Sequence, residues 1–240
     1  MPRISDSRGA HKDEAKPALV TANGANMASF GRVLGGVIVV GITCAMALFV
    51  GPTGAAGLRA HLGAPAPAFS AKDISGQVVS LDNYRGKTVI LEWTNNGCPF
   101  VGKHYNSGNM QTLQWRFTGE GDIWLTIASS APGQEGYVSP DEARADIARW
   151  NAAPSDYLLD PDGVVGHLYD ARATPHMVVI DRAGMVAYMG AIDDKPSVDP
   201  ADVKTAKNYV VAALEELAAG KPVTISGTRA YGCSVKYKTS

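Results

Sequence analysis

The sequence predicts an α/β fold in which helices flank a central mixed sheet. Two continuous apolar runs, residues 88–93 and 122–129, have the composition of buried central strands. Helical patterns alternate with these runs, which implies a parallel core. A hairpin pattern over residues 176–190 adds antiparallel strands, so the complete sheet should be mixed.

The first half of this pattern begins with a short strand, "QVVSL" at residues 77–81, followed by the buried strand "TVILEW". A helix should begin at Pro99, because proline is well tolerated at the first helical position. The turn-forming residues Ser107-Gly108-Asn109 should interrupt or kink this helix, and "MQTLQWRF" continues it.

The second half starts with the buried strand "DIWLTIAS" and continues with a helix over residues 139–150. Ser139 should cap that helix, with Glu142 completing a capping box. The strands "HMVVID" and "MVAYMG" flank "RAG" and form the predicted hairpin. A last amphipathic helix should begin at an Asp199 cap and end at Gly220.

Composition and charge exclude several classes of function. The chain has 240 residues, 45% of them hydrophobic, and a formal net charge of −1, which suits one globular domain with appendages. It has no basic stripe or basic run, so nothing indicates nucleic-acid binding. Three cysteines are too few for a disulfide scaffold, and the sequence has no nucleotide-binding or paired metal-binding motif. We therefore expect neither a cofactor nor a resident metal.

The first 56 residues should precede the folded domain. Residues 1–32 are polar and rich in small residues, and we interpret them as disordered or as the n-region of a leader. Residues 33–50 carry no charge and are followed by small residues up to position 56. This pattern fits either a signal peptide that starts at Met27 or an uncleaved membrane anchor, so residues 33–56 are assigned to one of these. Both predict an exported domain, periplasmic or otherwise extracytoplasmic, whose membrane contact is confined to residues 33–50.

The remaining chain divides into a linker, a domain and a tail. Alternating proline and alanine in residues 57–66 resist helix formation and predict an extended linker. The folded domain should cover residues 67–220, and residues 221–240 form a tail that carries Cys233. Cys44 lies within the apolar segment, where we expect it to act as a small apolar residue.

Cys98, in "TNNGCPF", lies where a buried strand meets a helix. If Pro99 is the first helical residue, the sulfur of Cys98 faces unpaired N–H groups and the positive end of the helix dipole, which favour a reactive thiolate. Thr94 offers a hydroxyl nearby, and Lys103 or His104 offers positive charge further along the helix. The alternative is a buried cysteine that only fills space.

A second marker is "ATPHMVVID" at residues 173–181. Pro175 precedes a strand, where it removes a ladder hydrogen bond, and such a proline can be cis. If the two strands are neighbours, Pro175 and the following His176 lie beside the Cys98 loop.

Together these residues resemble the thioredoxin-fold redoxins of the alkyl hydroperoxide reductase/thiol-specific antioxidant type. The lead-in "GAPAPAFSAKDISGQVVSLDNYRGKTVILEWT" is similar to the opening of that group, and "CPFVGKHY" with "YGCSVKY" resembles a bacterial subgroup with a CPFVxKHY site. The resemblance runs from Gly63 to Tyr237 and implies a thioredoxin-like fold. It also implies that Cys98 is the attacking cysteine, that Pro175 is the cis proline, and that Thr174 places its backbone beside the sulfur.

Two departures from the family pattern bear on the reaction. Val101 occupies the second cysteine position of a C-x-x-C site, so dithiol exchange within that loop is impossible. Asn95 stands three residues before the cysteine, where peroxiredoxins have threonine, while Thr94 is four residues before it. The matching arginine is unassigned, with Arg172 as one candidate.

The resemblance implies an exported thiol oxidoreductase that reduces peroxides or disulfides through Cys98, with electrons from an external thiol reductant. Cys233 would act as the resolving cysteine, as a structural disulfide partner, or as an unpaired thiol. The alternatives are a protein-disulfide oxidoreductase of the cell envelope and a non-enzymatic module that binds copper or thiols. For His104 and His167 we expect surface or helix-packing roles.

Overall fold

A computed structural model describes residues 59–239. The segment expected to be disordered (1–32), the signal peptide or anchor (33–56) and Cys44 lie outside the described residues. Among residues 59–239, the structure contains no helix that is long and apolar enough to cross a membrane.

The described residues form a seven-stranded sheet, a two-stranded sheet and the helices around them. The strands are β1 (Ser70–Asp73), β2 (Val78–Ser80), β3 (Val89–Trp93), β4 (Ile123–Ala128), β5 (Asp156–Leu159), β6 (Ala173–Thr174), β7 (His176–Ile180), β8 (Val186–Gly190) and β9 (Cys233–Ser234). The α-helices are α1 (Pro99–Asn106), α2 (Asn109–Gly119), α3 (Pro140–Trp150), α4 (Val164–Leu168) and α5 (Tyr209–Ala218).

The larger sheet has the strand order β2-β1-β5-β4-β3-β7-β8. Its centre is parallel, because β4 runs in the same direction as both β3 and β5. On one side β7 pairs antiparallel with β3, and β8 follows β7 as a hairpin. On the other side β1 pairs antiparallel with β5 and with β2. The sheet is therefore mixed, which confirms the predicted fold class.

Apolar side chains on both faces of the sheet explain why helices cover it twice. Every residue of β3 and of β7 is buried. Successive side chains of a strand point to opposite faces, so Leu91 and Trp93 belong to one apolar cluster and Ile90 to another. α4 packs against the first cluster, and α1, α2 and α5 pack against the second. This is a thioredoxin-like fold.

Several predicted element boundaries are confirmed, and each has a local cause. α1 begins at Pro99 with Cys98 as its N-cap. The chain breaks after α1 because Gly108, at φ 74°, adopts a left-handed conformation and caps α2. The capping box at the start of α3 is also present, with Ser139 and Glu142 bonding to each other's backbone.

The predicted start of the last helix is wrong. Asp199 caps a short 3-10 turn, Pro200–Lys204, and α5 begins at Tyr209 with Asn208 as its cap. The backbone of Lys207 pairs with Asp194, with N–O distances of 3.2 and 2.9 Å, and this pairing holds the chain out of the helix until Asn208. The elements β1, α4 and β5 were not predicted, because they are short and their hydrophobic periodicity is weak.

The segments before and after the domain core are both bonded to it. Within the expected linker (57–66), the amide of Ala60 donates to Leu168 and that of Gly63 to Val186, each at 2.8 Å. The tail is bonded at two places. The backbone amide of Ala131 donates to the tail carbonyl of Lys236 at 2.8 Å, and β9 pairs antiparallel with β6. The tail therefore returns to the edge of the domain that carries Cys98.

Candidate active site

Cys98 lies at the N-terminus of α1 and is buried, with 1% of its surface exposed. Its backbone is extended (φ −76°, ψ 120°) and its side chain does not cap the helix. Instead, the thiol donates to the carbonyl of Thr174 across 3.1 Å. A helix N-terminus stabilises negative charge, so this position suits a sulfur that must react as a thiolate.

The Thr174–Pro175 peptide bond is cis, as the sequence predicts. Both residues are buried: Thr174 ends β6, and Pro175 lies between β6 and β7. β7 is the direct neighbour of β3, the strand that leads into Cys98, which is why the two loops meet. The carbonyl of Thr174 thereby becomes the acceptor for the Cys98 thiol.

Cys233 lies on β9, where it is the register partner of Thr174. Cys98 and Cys233 are both free thiols, and Cys233 is half-buried. Burial, a hydrogen bond with Cys98 and the negative charge of Cys98 raise the pKa of Cys233 to about 12. The tail therefore places the second thiol beside Thr174, whose carbonyl accepts from the first thiol.

Thr94 and Asn95 precede the site without contacting the sulfur through their side chains. Thr94 is buried, and its hydroxyl has no hydrogen-bond partner among the described residues. Asn95 shapes the loop through two hydrogen bonds. Its side-chain oxygen accepts from the backbone amide of Gly97 at 2.8 Å, and its backbone carbonyl accepts from the amide of Cys98 at 3.1 Å. The hydroxyl of Thr94 therefore makes no hydrogen bond to Cys98.

Arg172 is also directed elsewhere. Its guanidinium bonds to the carboxylate of Asp170 at 3.0–3.1 Å, and its side chain is 76% exposed. Its backbone carbonyl accepts from the tail amide of Val235. Among the described residues, therefore, neither candidate residue, Thr94 or Arg172, makes a side-chain hydrogen bond to Cys98.

The histidines lie in three different environments. His104 is completely buried and not on the surface, and burial lowers its pKa to about 4, so it supplies no positive charge to Cys98. His176 packs 5.9 Å from the ring of Trp93; burial lowers its pKa to about 4 as well. His167 stacks on Tyr237 with ring centroids 3.9 Å apart. Among residues 59–239, the structure contains no group of three or more His, Cys, Asp or Glu side chains that could hold a metal.

Two further polar clusters near α1 were not predicted. Glu92, on β3, is fully buried and accepts hydrogen bonds from the side chains of Tyr105, Gln114, Trp124 and Thr126 at 2.8–3.1 Å. Lys103, on α1, is buried against Asp193 and bonds to Tyr231 of the tail. A lone carboxylate within the apolar run "TVILEW" was a usable signal for the first cluster, whereas the second depends on contacts between distant segments.

Comparison with solved structures finds similar folds in two bacterial proteins. An uncharacterized conserved protein from Geobacillus kaustophilus is 27% identical and has a TM-score of 0.63, with 75% of this chain and 94% of that chain covered. A hypothetical protein from Sinorhizobium meliloti 1021 is 23% identical and has a TM-score of 0.62, with 75% and 96% covered. A search of curated proteins finds no match.

The comparison with family models agrees with the fold. The model described as the AhpC/TSA family matches residues 62–189, which is more than half of the chain and includes β3, Cys98 and the Thr174–Pro175 loop. The protein therefore belongs to the AhpC/TSA family.

Proposed function

We propose that the protein is a thiol-dependent oxidoreductase in which Cys98 attacks the substrate and Cys233 resolves the intermediate. The observation that carries this proposal is the shared contact with Thr174. The Cys98 thiol bonds to its carbonyl at 3.1 Å, and Cys233 is its strand partner. Two thiols held against one loop, one of them at a helix N-terminus, form a pair that can exchange electrons as a dithiol and a disulfide.

The reaction proceeds in two thiol exchanges. The Cys98 thiolate attacks one sulfur of a substrate disulfide, forming a mixed disulfide and releasing the first substrate thiol. Cys233 then attacks the sulfur of Cys98, which releases the second substrate thiol and leaves a Cys98–Cys233 disulfide. The substrate gains two electrons and two protons, and an external thiol reductant returns them to the enzyme.

The positions of the two cysteines assign them different steps. Cys98 is the N-cap of α1, where the helix N-terminus favours a thiolate, whereas Cys233 lies on the strand β9. Burial above all raises the pKa of Cys233 to about 12, which disfavours its thiolate. We therefore assign the attack on the substrate to Cys98 and the resolving step to Cys233.

Disulfides are the favoured substrate class because two free thiols lie against the same loop, and such a pair can cycle between a dithiol and a disulfide. An open groove of about 600 Å³, lined in part by Ala173, Asp194 and Arg229, reaches Gly232, the residue before Cys233. The hydroxyl of Thr94 has no hydrogen-bond partner among the described residues, and the guanidinium of Arg172 bonds to Asp170, so neither supports a peroxide at Cys98. Peroxide is the second candidate, supported by membership in the AhpC/TSA family. With peroxide, the Cys98 thiolate attacks one oxygen, the O–O bond breaks, water or an alcohol leaves, and Cys98 becomes a sulfenic acid. Cys233 then attacks that sulfur and releases water, which leaves a Cys98–Cys233 disulfide.

The proposed place of action is outside the cytoplasm. The apolar segment 33–50 fits a signal peptide or an anchor, and either would export the domain. In an oxidising compartment a pair of adjacent thiols tends to be joined, so the enzyme would need a dedicated reductant there.

The experiment uses the reduced full-length chain with Cys44→Ser, which leaves two thiols. It is treated with oxidised glutathione or with hydrogen peroxide, and free thiols are counted over time. We expect loss of both thiols through an intramolecular disulfide, no such loss in Cys98→Ser, and a trapped mixed disulfide or sulfenic acid in Cys233→Ser. The relative rates with the two oxidants identify the substrate class.

Two outcomes would contradict the proposal. One is reaction with both oxidants no faster than that of a free cysteine. The other is loss of a single thiol in the Cys44→Ser chain, with Cys233 unchanged. Stoichiometric copper binding that depends on Cys98 and proceeds without thiol turnover would favour the non-enzymatic alternative.

A further inference from the structure

A buried ion pair joins Lys103 of α1 to Asp193, which follows β8. Lys103 and Asp193 have side-chain exposures of 0% and 2%, and the Lys103 Nζ lies 3.2 Å from Asp193 Oδ2. The same ammonium donates to the carbonyl of Lys195 at 2.6 Å. Removing two charges from water costs free energy unless they are well paired and hydrogen-bonded. The side chains of such a pair can therefore adopt few other positions.

Tyr231 connects this ion pair to the tail. Its hydroxyl donates to Asp193 Oδ1, and it accepts from Lys103 Nζ at 3.4 Å. The Nε2 atom of His104 lies 3.3 Å from the same hydroxyl, and the ring of Tyr231 packs edge-on against Phe100, with centroids 5.8 Å apart. Tyr231 thus contacts three residues, Phe100, Lys103 and His104, of the helix whose N-terminus holds Cys98.

The backbone between Tyr231 and Cys233 has little conformational freedom. Gly232 is the only residue between them, and its φ of 137° lies outside the range that other residues favour. A Cβ atom at Gly232 would lie 1.9 Å from the carbonyl oxygen of Thr174, so the backbone passes directly against that loop. The position of Tyr231 therefore fixes where Cys233 meets Thr174 and Cys98.

We infer that Tyr231, held by the Lys103–Asp193 ion pair, is a positioning residue that keeps Cys233 at attacking distance from Cys98. This inference rests on the proposed function, because it concerns the same pair of cysteines. It gives the "KHY" and "YGC" segments one shared purpose: the first anchors the tail to α1, and the second delivers the resolving thiol. The effective concentration of Cys233 at Cys98 then depends on a hydroxyl that touches neither sulfur.

The test measures the equilibrium between the Cys98–Cys233 disulfide and a glutathione redox buffer, in the full-length chain with Cys44→Ser. Disulfide formation removes two electrons and two protons from the cysteines, and one oxidised glutathione becomes two reduced glutathiones. Tyr231→Phe keeps the ring on Phe100 and removes only the hydroxyl. We expect it to lower the equilibrium constant for disulfide formation by about tenfold, which corresponds to about 30 mV in reduction potential.

A second variant removes the partners of the Tyr231 hydroxyl instead of the hydroxyl itself. Lys103→Met combined with Asp193→Leu replaces the ion pair with apolar side chains of similar size, a change that proteins often tolerate. We expect this double variant to lower the constant by a similar factor. The matched control is Tyr84→Phe, which removes a hydroxyl that donates to Asp156 at 2.6 Å on the other side of the sheet and should change the constant by less than about twofold.

The outcomes separate the two claims. If the parent chain forms no Cys98–Cys233 disulfide, the proposed function fails. If the parent forms it and both the Tyr231→Phe and the Lys103/Asp193 variants stay within about twofold of its constant, the positioning role is overturned. A variant that loses unfolding free energy while keeping the parent's redox constant also overturns it, because the network would then serve the fold alone.

Discussion

At the scale of single residues, Glu92 is a carboxyl group buried among neutral partners. Its four hydrogen-bond donors are the hydroxyls of Tyr105 and Thr126, the amide of Gln114 and the indole of Trp124. Burial raises the pKa of Glu92, and these hydrogen bonds only partly oppose the rise. The protonated form is therefore favoured in the folded protein more than in the unfolded chain.

This shift predicts a specific pH dependence of stability. Because the folded pKa of Glu92 is raised, its favourable contribution is complete below the unfolded value of 4.5 and is lost as the pH rises through the folded value. Glu92→Gln removes that titration, so the free energy of unfolding of the parent should fall relative to the variant as the pH rises. The slope of this difference cannot exceed about 1.4 kcal/mol per pH unit.

Urea unfolding between pH 4 and pH 9 measures this difference. Glu120→Gln, an exposed carboxyl at the end of α2, serves as the control and should show no comparable slope. A pH-independent difference between the parent and Glu92→Gln would show that the pKa of Glu92 is the same in the folded and the unfolded chain.

The residues of the site differ in how well they can be predicted from the sequence. Cys98 was predicted as an N-cap because Gly97 and Pro99 determine the local backbone, and Pro175 was predicted because a proline directly before a strand is a local signal. Tyr231 was missed, since its role depends on a contact with Lys103, 128 positions earlier in the chain. Gly232 was missed for the same reason: what requires glycine there is the carbonyl of Thr174.

At the scale of elements, α3 is the helix whose start the sequence specifies most completely. The hydroxyl of Ser139 accepts from the amide of Glu142, and the carboxylate of Glu142 accepts from the amide of Ser139 at 2.7 Å. These bonds satisfy backbone donors that the first turn of a helix leaves free. Pro140 follows the cap and needs no such partner.

Ser139→Ala should therefore lower the free energy of unfolding by about 1 kcal/mol. Denaturant unfolding monitored by circular dichroism measures the change, with Ser226→Ala as the control because Ser226 is an exposed serine outside any helix. Equal stability of the two variants would mean that the first turn of α3 is held by packing and not by its cap.

Elements fixed by distant partners were predicted less well. β5 is only four residues long, and it becomes a strand because β4 and β1 pair with it on both sides. Asp199 has the features of a helix cap and does bond to the amide of Ala201 at 2.8 Å. Its turn stops after Lys204, however, because the following residues pair with Asp194.

At the scale of the whole molecule, the segment before β1 is bonded to the far side of the sheet. Ala66 donates to Gly184, and Val186 donates to Ala64, in addition to the bonds from Ala60 and Gly63. Ala60 is buried in the apolar cluster that contains Leu91 and Trp93. These contacts predict that the stable unit extends N-terminal to residue 67.

A chain that begins at residue 67 should be less stable than one that begins at residue 57. The shorter chain loses the hydrogen bonds of Ala60, Gly63, Ala64 and Ala66, each worth roughly 0.5–1 kcal/mol, so its free energy of unfolding should fall by about 2–4 kcal/mol. Urea denaturation of the two chains measures this directly. Equal midpoints and slopes would show that residues 57–66 are a linker in solution.

The sequence by itself determined the features that arise within a short stretch of chain. The apolar runs of β3 and β4, the cap at Ser139, the break at Gly108 and the Cys98–Pro99 junction all depend on neighbouring residues. The position of Cys233 beside Thr174 depends on the tertiary structure, because it requires the tail to cross the domain and pair with β6. The physical reason is range: backbone preference and capping act over a few residues, whereas the buried Lys103–Asp193 pair and its bond to Tyr231 exist only once distant segments have packed together.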